Sequence, residues 1–388
     1  MRLHYLQMRI GFDIRPFLRQ ATGVGIYYKN LLFSLARIDS KNQYYLFSSS
    51  YKDRFHQEEL PPFAQSEFRD ARYPVKLMNF LWQRLEWPPL DKFFNTELDL
   101  THSPIPLLLP TKGKKIVTVY DLFFMDFPEF VQGETRKSFT QRIENSLQRA
   151  DGILVISQFV KDQIMDRFFL NEDKIKVVYL GVDPGFSNKP SVPQTEIVKN
   201  KYGLPSRFLL FVGDIEPRKN LGKLIEALEF MQKKSYDIPL VIVGKEGMAY
   251  QNLVKKIEDS QLQSKVMFLN YLPDGDLKIL YRLASCLVFP SLCEGFGLPL
   301  VEAMASGCPL VISRASALPE IALNAALYFH PEDSEEMAGQ IMTVLNDEDL
   351  RKNLIEKGNQ RVLDFSWTQT AENTLNFYKA VIGKGSLQ

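Results

Sequence analysis

Between Cys286 and Pro309 the chain reads as an apolar run (CLVFPS), a loop with two glycines (CEGFG) and a helical run (LPLVEAMAS) closed by Gly307. Pro299 suits the first turn of a helix and Gly307 its C-terminal cap. Gly295 and Gly297 let backbone approach a ligand closely, and the N–H groups at the start of a helix favour phosphate. Glu294 in the loop and Glu302 one turn into the helix are separated by seven residues, so both can face one ligand from different sides. A carboxylate accepts hydrogen bonds and can hold paired hydroxyls, as on a ribose or a hexose. The plainer account of the same residues is a glycine turn whose acidic neighbours answer the helix dipole.

A second group lies in FVGDIEPRKNL, residues 211–221: an apolar strand, then Gly213, then Arg218 and Lys219 before a helix. Two fixed cations at the carboxyl end of a strand can neutralise a diphosphate, both bound and leaving. A basic pair near a helix start is electrostatically unfavourable as mere surface, which inclines the pair toward function. A third group, TGVGIYYKNLL, places Gly23 and Gly25 after the first strand and ahead of a helix, but Tyr28 breaks the GxGxxG fingerprint and a simple turn explains it equally well. Of the four histidines only His102, in DLTHSPIP, follows the end of a strand candidate; a packed or loop histidine is the default for it. Asp274-Gly275-Asp276 reads as a turn with Asp276 capping the next helix rather than as a metal pair. There is no GxxxxGK[ST], HExxH or GxSxG, which argues against a P-loop hydrolase, a zinc peptidase and a common serine hydrolase.

The elements that must position these residues alternate. Strand candidates include Arg9–Ile14, Tyr44–Phe47, Lys115–Val119 and Gly152–Ile156 in the first half. In the second they include Phe208–Val212, Leu240–Val243, Val266–Phe268, Cys286–Phe289 and Pro309–Ile312. Most are continuous apolar runs, as strands buried on both faces of a parallel sheet must be. Helical stretches such as Asn220–Gln232 and Asp276–Ala284 lie between them, giving βαβ units. The stretch Pro184–Pro205, rich in proline and glycine, breaks the rhythm and reads as a linker. The expectation is therefore an N-terminal domain over 1–185, a linker over 186–205 and a C-terminal domain over 206–367. Both domains are doubly wound α/β, face one another across a cleft and bind ligands at their strands' carboxyl ends.

Composition narrows the classes further. The chain has 388 residues, 47 basic and 46 acidic side chains and a net charge of +1, so it lacks the basic field of a nucleic-acid binder. An apolar fraction of 45% can build sizeable cores, and no charge-free window is long enough to span a bilayer. Cys286, Cys293 and Cys308 form no CxxC and cannot all pair, which suits a reducing cytoplasm and small core residues. The start lacks a signal-peptide core, and Met8 is an alternative initiation site. The aromatic stretch 79–94 could form an amphipathic membrane face, with core packing the favoured account.

Taken together, Glu294-x7-Glu302 with GFGLP inside it, GDIEPRKN, the closing FSW at 365–367 and TGVGIYYKNL resemble the family-4 retaining glycosyltransferases. The resemblance runs from about residue 8 to about 382 and is most specific at 211–221 and 290–320. Within the family the chain looks most like bacterial enzymes that transfer mannose or related sugars onto lipid-linked saccharides. The resemblance implies a GT-B fold, two Rossmann-like domains, with a final helix over 368–382 crossing back onto the N-terminal one. It implies that Arg218 and Lys219 hold the donor diphosphate with the amides of Phe296, Gly297 and Leu298. Glu302 would accept from the ribose hydroxyls and Glu294 from hydroxyls of the transferred sugar. Gly23 and Gly25 would belong to the loop over the donor phosphate. Tyr271 and Leu272 would meet the base, with Gly244 and Lys245 nearby. Where related sequences carry His-Asp-Leu to contact the transferred sugar, this chain reads VTVYDLFF, placing Tyr120 there before Asp121. Tyrosine still donates a hydrogen bond but cannot titrate near neutrality. His102 is an alternative sugar or acceptor contact.

The expected activity is hexosyl transfer with retention from a nucleotide diphosphate sugar to a saccharide or lipid-linked saccharide, without metal or other cofactor. GDP-mannose is the first donor expected and a UDP-sugar the next. No convincing carboxylate nucleophile stands in the N-terminal half, Asp121 being the one candidate. The resemblance implies work at the inner face of the cytoplasmic membrane. Two other readings share the architecture: a nucleotide-sugar 2-epimerase, and a non-catalytic sugar-nucleotide-binding partner subunit.

Overall fold

Those apolar runs become strands in a computed structural model that describes residues 7–15, 23–51, 54–130 and 133–383. They build two separate sheets in which each strand pairs parallel to its neighbours. The chain divides into two units, Met1–Gly181 together with Trp367–Gln388, and Val182–Ser366.

The first unit holds β1 (Arg9–Asp13), β2 (Gln43–Ser48), β3 (Ser66–Asp70), β4 (Leu100–Ser103), β5 (Lys114–Val119), β6 (Gly152–Val155) and β7 (Ile175–Val177), in the order β3-β2-β1-β4-β5-β6-β7. Residues such as Ile10, Phe12, Leu100, Val117 and Ile153 are buried because side chains pack on both faces. The edge strand β3, SEFRD, is the polar exception and has no apolar run to announce it. Gly23 and Gly25 do not precede the first helix: they form the first turn of Gly23–Ile38.

His102 is the packed histidine of the default reading, not the alternative sugar or acceptor contact. It lies inside β4, not beyond a strand, and is fully buried. Its Nδ1 is 2.6 Å from the Tyr378 hydroxyl and its Nε2 is 2.8 Å from Thr118 Oγ1. Burial pushes its pKa down to about 3, so the ring is neutral near pH 7. With both nitrogens engaged and no exposed edge it cannot reach a sugar or an acceptor. It pins the terminal helix, Trp367–Gly383, to the first sheet, and Thr370 Oγ1 adds a bond to the Tyr179 carbonyl at 2.8 Å.

The second unit holds β8 (Leu209–Val212), β9 (Leu240–Val243), β10 (Val266–Leu269), β11 (Cys286–Phe289), β12 (Leu310–Ser313) and β13 (Ala326–Phe329), in the order β10-β9-β8-β11-β12-β13. The segment 186–205, read as a linker, belongs to this unit and contains the helix Val192–Tyr202. Its breakers are boundary signals: Pro193 sits in the first turn, Gly203 takes the left-handed cap at φ +61°, and Ser191 with Gln194 forms a capping box. Asp276 is not an N-cap. It lies in the first turn of the helix Asp274–Leu283 and accepts from Lys201 Nζ and the Tyr202 hydroxyl, each at 2.7 Å, which docks the Val192–Tyr202 helix.

In each sheet the chain turns one way after one central strand and the other way after its neighbour: β1 beside β4, and β8 beside β11. Loops that diverge there leave a crevice at the carboxyl ends. β8 (Leu209–Val212) and β11 (Cys286–Phe289), on either side of that point, are buried on both faces apart from the half-buried Val212, so the loops beyond them are built on a rigid base.

Replacing Tyr378 with phenylalanine leaves a buried His102 nitrogen unpaired, which costs about 1–3 kcal/mol. Urea unfolding should show that loss; an unchanged midpoint would contradict the pin.

Candidate functional site

The loop after β8 carries Arg218 and Lys219 in the short turn Pro217–Lys219, ended by Asn220 in the left-handed conformation at φ +57°. Asparagine tolerates that conformation better than most residues. Its Nδ2 donates to the carbonyls of Pro290, at 3.2 Å, and Pro331, at 2.7 Å. The Leu292 amide donates to the Arg218 carbonyl at 2.8 Å. These bonds tie the loops beyond β8, β11 and β13 together, across the point where the strand order reverses.

At that point three charged side chains meet. Glu294 Oε1 accepts from Lys219 Nζ at 2.5 Å and Oε2 accepts from Arg218 Nη1 at 2.9 Å. Arg218 Nη1 also donates to the Cys293 carbonyl at 3.2 Å, and the Glu294 amide donates to Ser316 Oγ at 2.9 Å. Lys219 stands 4.9 Å from the ring centre of Phe289, the last residue of β11. Lys219 and Glu294 are buried, while Arg218 keeps some exposure. Burial alone would raise the Glu294 carboxyl, but the charges of Lys219 and Arg218 outweigh it and hold it at about 2. Burial also pulls the Lys219 ammonium below its ordinary value, an effect that Glu294 opposes. The triad carries one net positive charge in a water-poor setting, where charge acts strongly. Each carboxylate oxygen of Glu294 still has acceptor capacity for a hydroxyl.

Beside the triad, residues 295–297 lead into the helix Leu298–Ala305, which no side chain caps. Gly297 has φ +96°, and a Cβ there would come within 2.9 Å of Leu318 Cδ2, so only glycine fits this entry. Phe296 is buried edge-on to Phe365, with ring centres 5.6 Å apart, which anchors the mouth of the helix. Glu302, one turn in, is half-buried and accepts from the Tyr281 hydroxyl at 2.8 Å. Burial pushes its carboxyl up to about 7, with Tyr281 opposing and Asp274 adding to the rise. The Tyr271 phenol is raised by burial, then by the nearby charges of Asp274 and Glu302. Tyr271 is exposed beside this group and Leu272 is buried.

The loops after β8 and β9 touch. A Cβ on Gly244 would lie 2.0 Å from the Gly213 carbonyl oxygen, so a side chain there would force them apart. Asp214 accepts from the Lys245 amide at 3.1 Å and the Ile215 amide donates to the Lys245 carbonyl at 3.0 Å, while the Lys245 side chain is exposed. Arg218, Lys219, Glu294 and the turn 295–298 thus form one cluster, with Glu302 and Tyr271 on its helix side. Tyr120, Asp121, Gly23 and Gly25 belong to the other unit. Tyr120 follows β5, its ring edge-on to Tyr27 at 5.4 Å, and its buried hydroxyl has no hydrogen-bond partner among the described residues. Asp121 accepts from the Phe123 amide at 3.4 Å. Tyr281, Asn220 and Ser316 were not legible from spacing. Tyr281 and Ser316 lie outside every motif and Asn220 only closes GDIEPRKN; each acts through a contact made between elements distant in sequence.

Comparison with known proteins bears on this arrangement. Residues 194–361 match the family described as glycosyl transferases group 1, and residues 21–186 match glycosyltransferase family 4. O-antigen chain mannosyltransferase B of Escherichia coli is 28% identical over 385 residues, 96% of this chain and all of that protein. O-antigen chain mannosyltransferase RfbU of Salmonella typhimurium is 32% identical over 257 residues, 66% of this chain and 67% of that protein. Among solved structures, sucrose-phosphate synthase of Thermosynechococcus elongatus matches with a TM-score of 0.76 at 18% identity, covering 97% of this chain and all of that one. Anabaena HepE in complex with UDP matches with a TM-score of 0.68 at 17% identity, covering 96% of this chain and all of that one. These likenesses establish the GT-B fold for this chain.

Glu294→Ala would leave Lys219 and Arg218 without their counter-charge, a loss of about 3–5 kcal/mol for a broken buried pair. Denaturant unfolding of the variant checks this, and a loss below about 1 kcal/mol, the scale of a surface pair, would contradict it. The stability that this low carboxyl pKa contributes is present above its ordinary value of 4.5 and is lost as pH falls toward about 2.

Proposed function

The chain belongs to the group 1 and family 4 glycosyltransferases, and from that premise we propose that it moves a hexose, mannose first, from a nucleotide diphosphate sugar to a saccharide or lipid-linked saccharide with retention. The observation that carries this reading is the Arg218–Lys219–Glu294 triad beside an uncapped helix entry at the reversal point of a parallel sheet. The mannosyltransferase relatives support the sugar, and GDP-mannose is the donor proposed.

In this mechanism the bond between sugar C1 and the diphosphate oxygen breaks, with positive charge growing on the ring and negative charge on the leaving group. Arg218, Lys219 and the amides of Phe296, Gly297 and Leu298 stabilise that negative charge without a metal. Glu294 performs two tasks: it fixes the two cations and accepts from hydroxyls of the departing sugar. Glu302 accepts from the ribose diol with Tyr281 setting its rotamer, and Tyr271 and Leu272 border the base. The acceptor oxygen attacks C1 on the face that the diphosphate leaves, and a leaving phosphate oxygen takes its proton. Tyr120, Asp121, Gly23 and Gly25 of the first unit take no step in this mechanism, and the Tyr120 hydroxyl is buried. We place the reaction at the cytoplasmic membrane face.

Arg218→Ala should lower turnover at least ~100-fold, on the scale of losing a donor to transition-state charge. Transfer assays with GDP-mannose check it, and near-unchanged turnover would contradict the assignment. The anomeric proton coupling of the product tests retention in the same assay.

A carboxyl near pH 7 gives a second check. Ionised Glu302 is the stronger acceptor, so nucleotide-sugar affinity should rise as pH passes upward through about 7. Glu302→Gln should weaken binding and flatten that dependence in calorimetry. A dependence that persists in the variant would remove Glu302 from the ribose.

A further inference from the structure

The stretch between β3 and β4 has two unlike faces. Met78, Trp82, Leu90 and Phe94 turn inward into an apolar cluster with Tyr45 and Phe47 of β2. Tyr73, Leu77, Phe80, Leu85 and Trp87 turn outward, each 44–60% exposed. Scattered apolar residues on a surface need no account, but these five fall on one short helix, Val75–Phe80, its continuation Leu81–Leu85 and the residues flanking them. Arg72, Lys76, Arg84 and Lys92 stand among them, all exposed. None of the four pairs with a carboxylate among the described residues, and Lys92 Nζ lies over the Trp87 ring at 5.2 Å. The acids of the same stretch are engaged elsewhere. Arg54 holds Asp70 at 3.0 Å and Arg149 holds Glu86, while the Leu98 and Lys112 amides occupy Asp91.

An outward face that joins large apolar and aromatic side chains to uncancelled cations matches an anionic lipid surface, with headgroups for the charges and the acyl boundary for the rings.

The position of the face adds an argument. The inner side of the same helical turn carries Trp82, and the Arg15 guanidinium lies 4.8 Å from its ring centre. Arg15 follows β1 directly and is held by Asp13 at 2.6 Å, with its Nη1 buried and unpartnered among the described residues. That is the carboxyl end of β1, one side of the first sheet's reversal point. The inner side of that helical turn, through Trp82, thus borders the carboxyl end of β1, while its outer side carries the apolar face.

We infer that the surface 72–92 docks the protein on an anionic bilayer and holds the carboxyl edge of the first sheet against the headgroups. A lipid-linked saccharide presents its sugar at that depth. The use of the docking rests on the acceptor class proposed above, whereas the docking itself does not.

Co-sedimentation of the full chain with phosphatidylcholine vesicles containing about 30% phosphatidylglycerol tests this. Binding should weaken with added salt and be absent on pure phosphatidylcholine. The variants Phe80→Ser/Leu85→Ser/Trp87→Ser and Lys76→Gln/Arg84→Gln/Lys92→Gln should each lower the partition coefficient roughly tenfold or more. Because the changed side chains are exposed, thermal melting and nucleotide-sugar affinity should be unaltered, and these serve as the folding controls. Three results would overturn the inference. The wild type could fail to bind the anionic vesicles, the variants could bind as the wild type does, or light scattering could show a wild-type dimer that the apolar variant dissolves. Anionic-vesicle binding that depends on these residues, in a protein that transfers no sugar to any acceptor, would sustain the docking surface while removing the glycosyltransferase mechanism.

Discussion

One buried carboxylate organises the C-terminal unit. Glu294 accepts from both Lys219 and Arg218, so two cations that would otherwise repel are held side by side at the end of a strand. Neither partner could be buried alone, because an unpaired charge in this setting is far too costly. The sheet makes the pairing available: β8 and β11 lie next to each other, yet the chain leaves them in opposite directions. Residues more than seventy positions apart therefore meet where the backbone opens a crevice. The rest of the site, from the Asn220 bonds to the glycine entry at Gly297, keeps those two loops in register.

The first unit uses neutral groups for a comparable task. Thr118, His102 and Tyr378 form a buried line of hydrogen bonds that crosses from β5 through β4 to the terminal helix. A histidine held neutral by burial can link two hydroxyls without the desolvation cost of an ion, which suits a joint between distant parts of the chain. Tyr120, by contrast, keeps a buried hydroxyl with no hydrogen-bond partner among the described residues, which is an uncommon arrangement in a folded protein.

Much of this was legible before the structure. Arg218, Lys219, Glu294 and Glu302 stand out because charged residues beside glycines at the ends of apolar runs have few structural reasons to be there. The sheets were legible for a related reason, since strands buried on both faces leave continuous apolar runs such as LVIV at 240–243. The failures share a cause in tertiary context. Pro193 and Gly203 look like breakers until a helix is seen between them, and β3 has no apolar run because it is an edge. His102 was misplaced by one element because its value as a pin depends on Tyr378, a residue 276 positions away. The bond between Glu294 and the cations was hidden too: the spacing suggested separate tasks for residues that share one.

A crystal structure with a bound nucleoside diphosphate tests the central claim most directly. The account predicts diphosphate oxygens within hydrogen-bond reach of Arg218 and Lys219 at the mouth of the helix Leu298–Ala305, and the ribose diol on Glu302. A nucleotide seated away from these groups, with the triad closed and untouched, would contradict it.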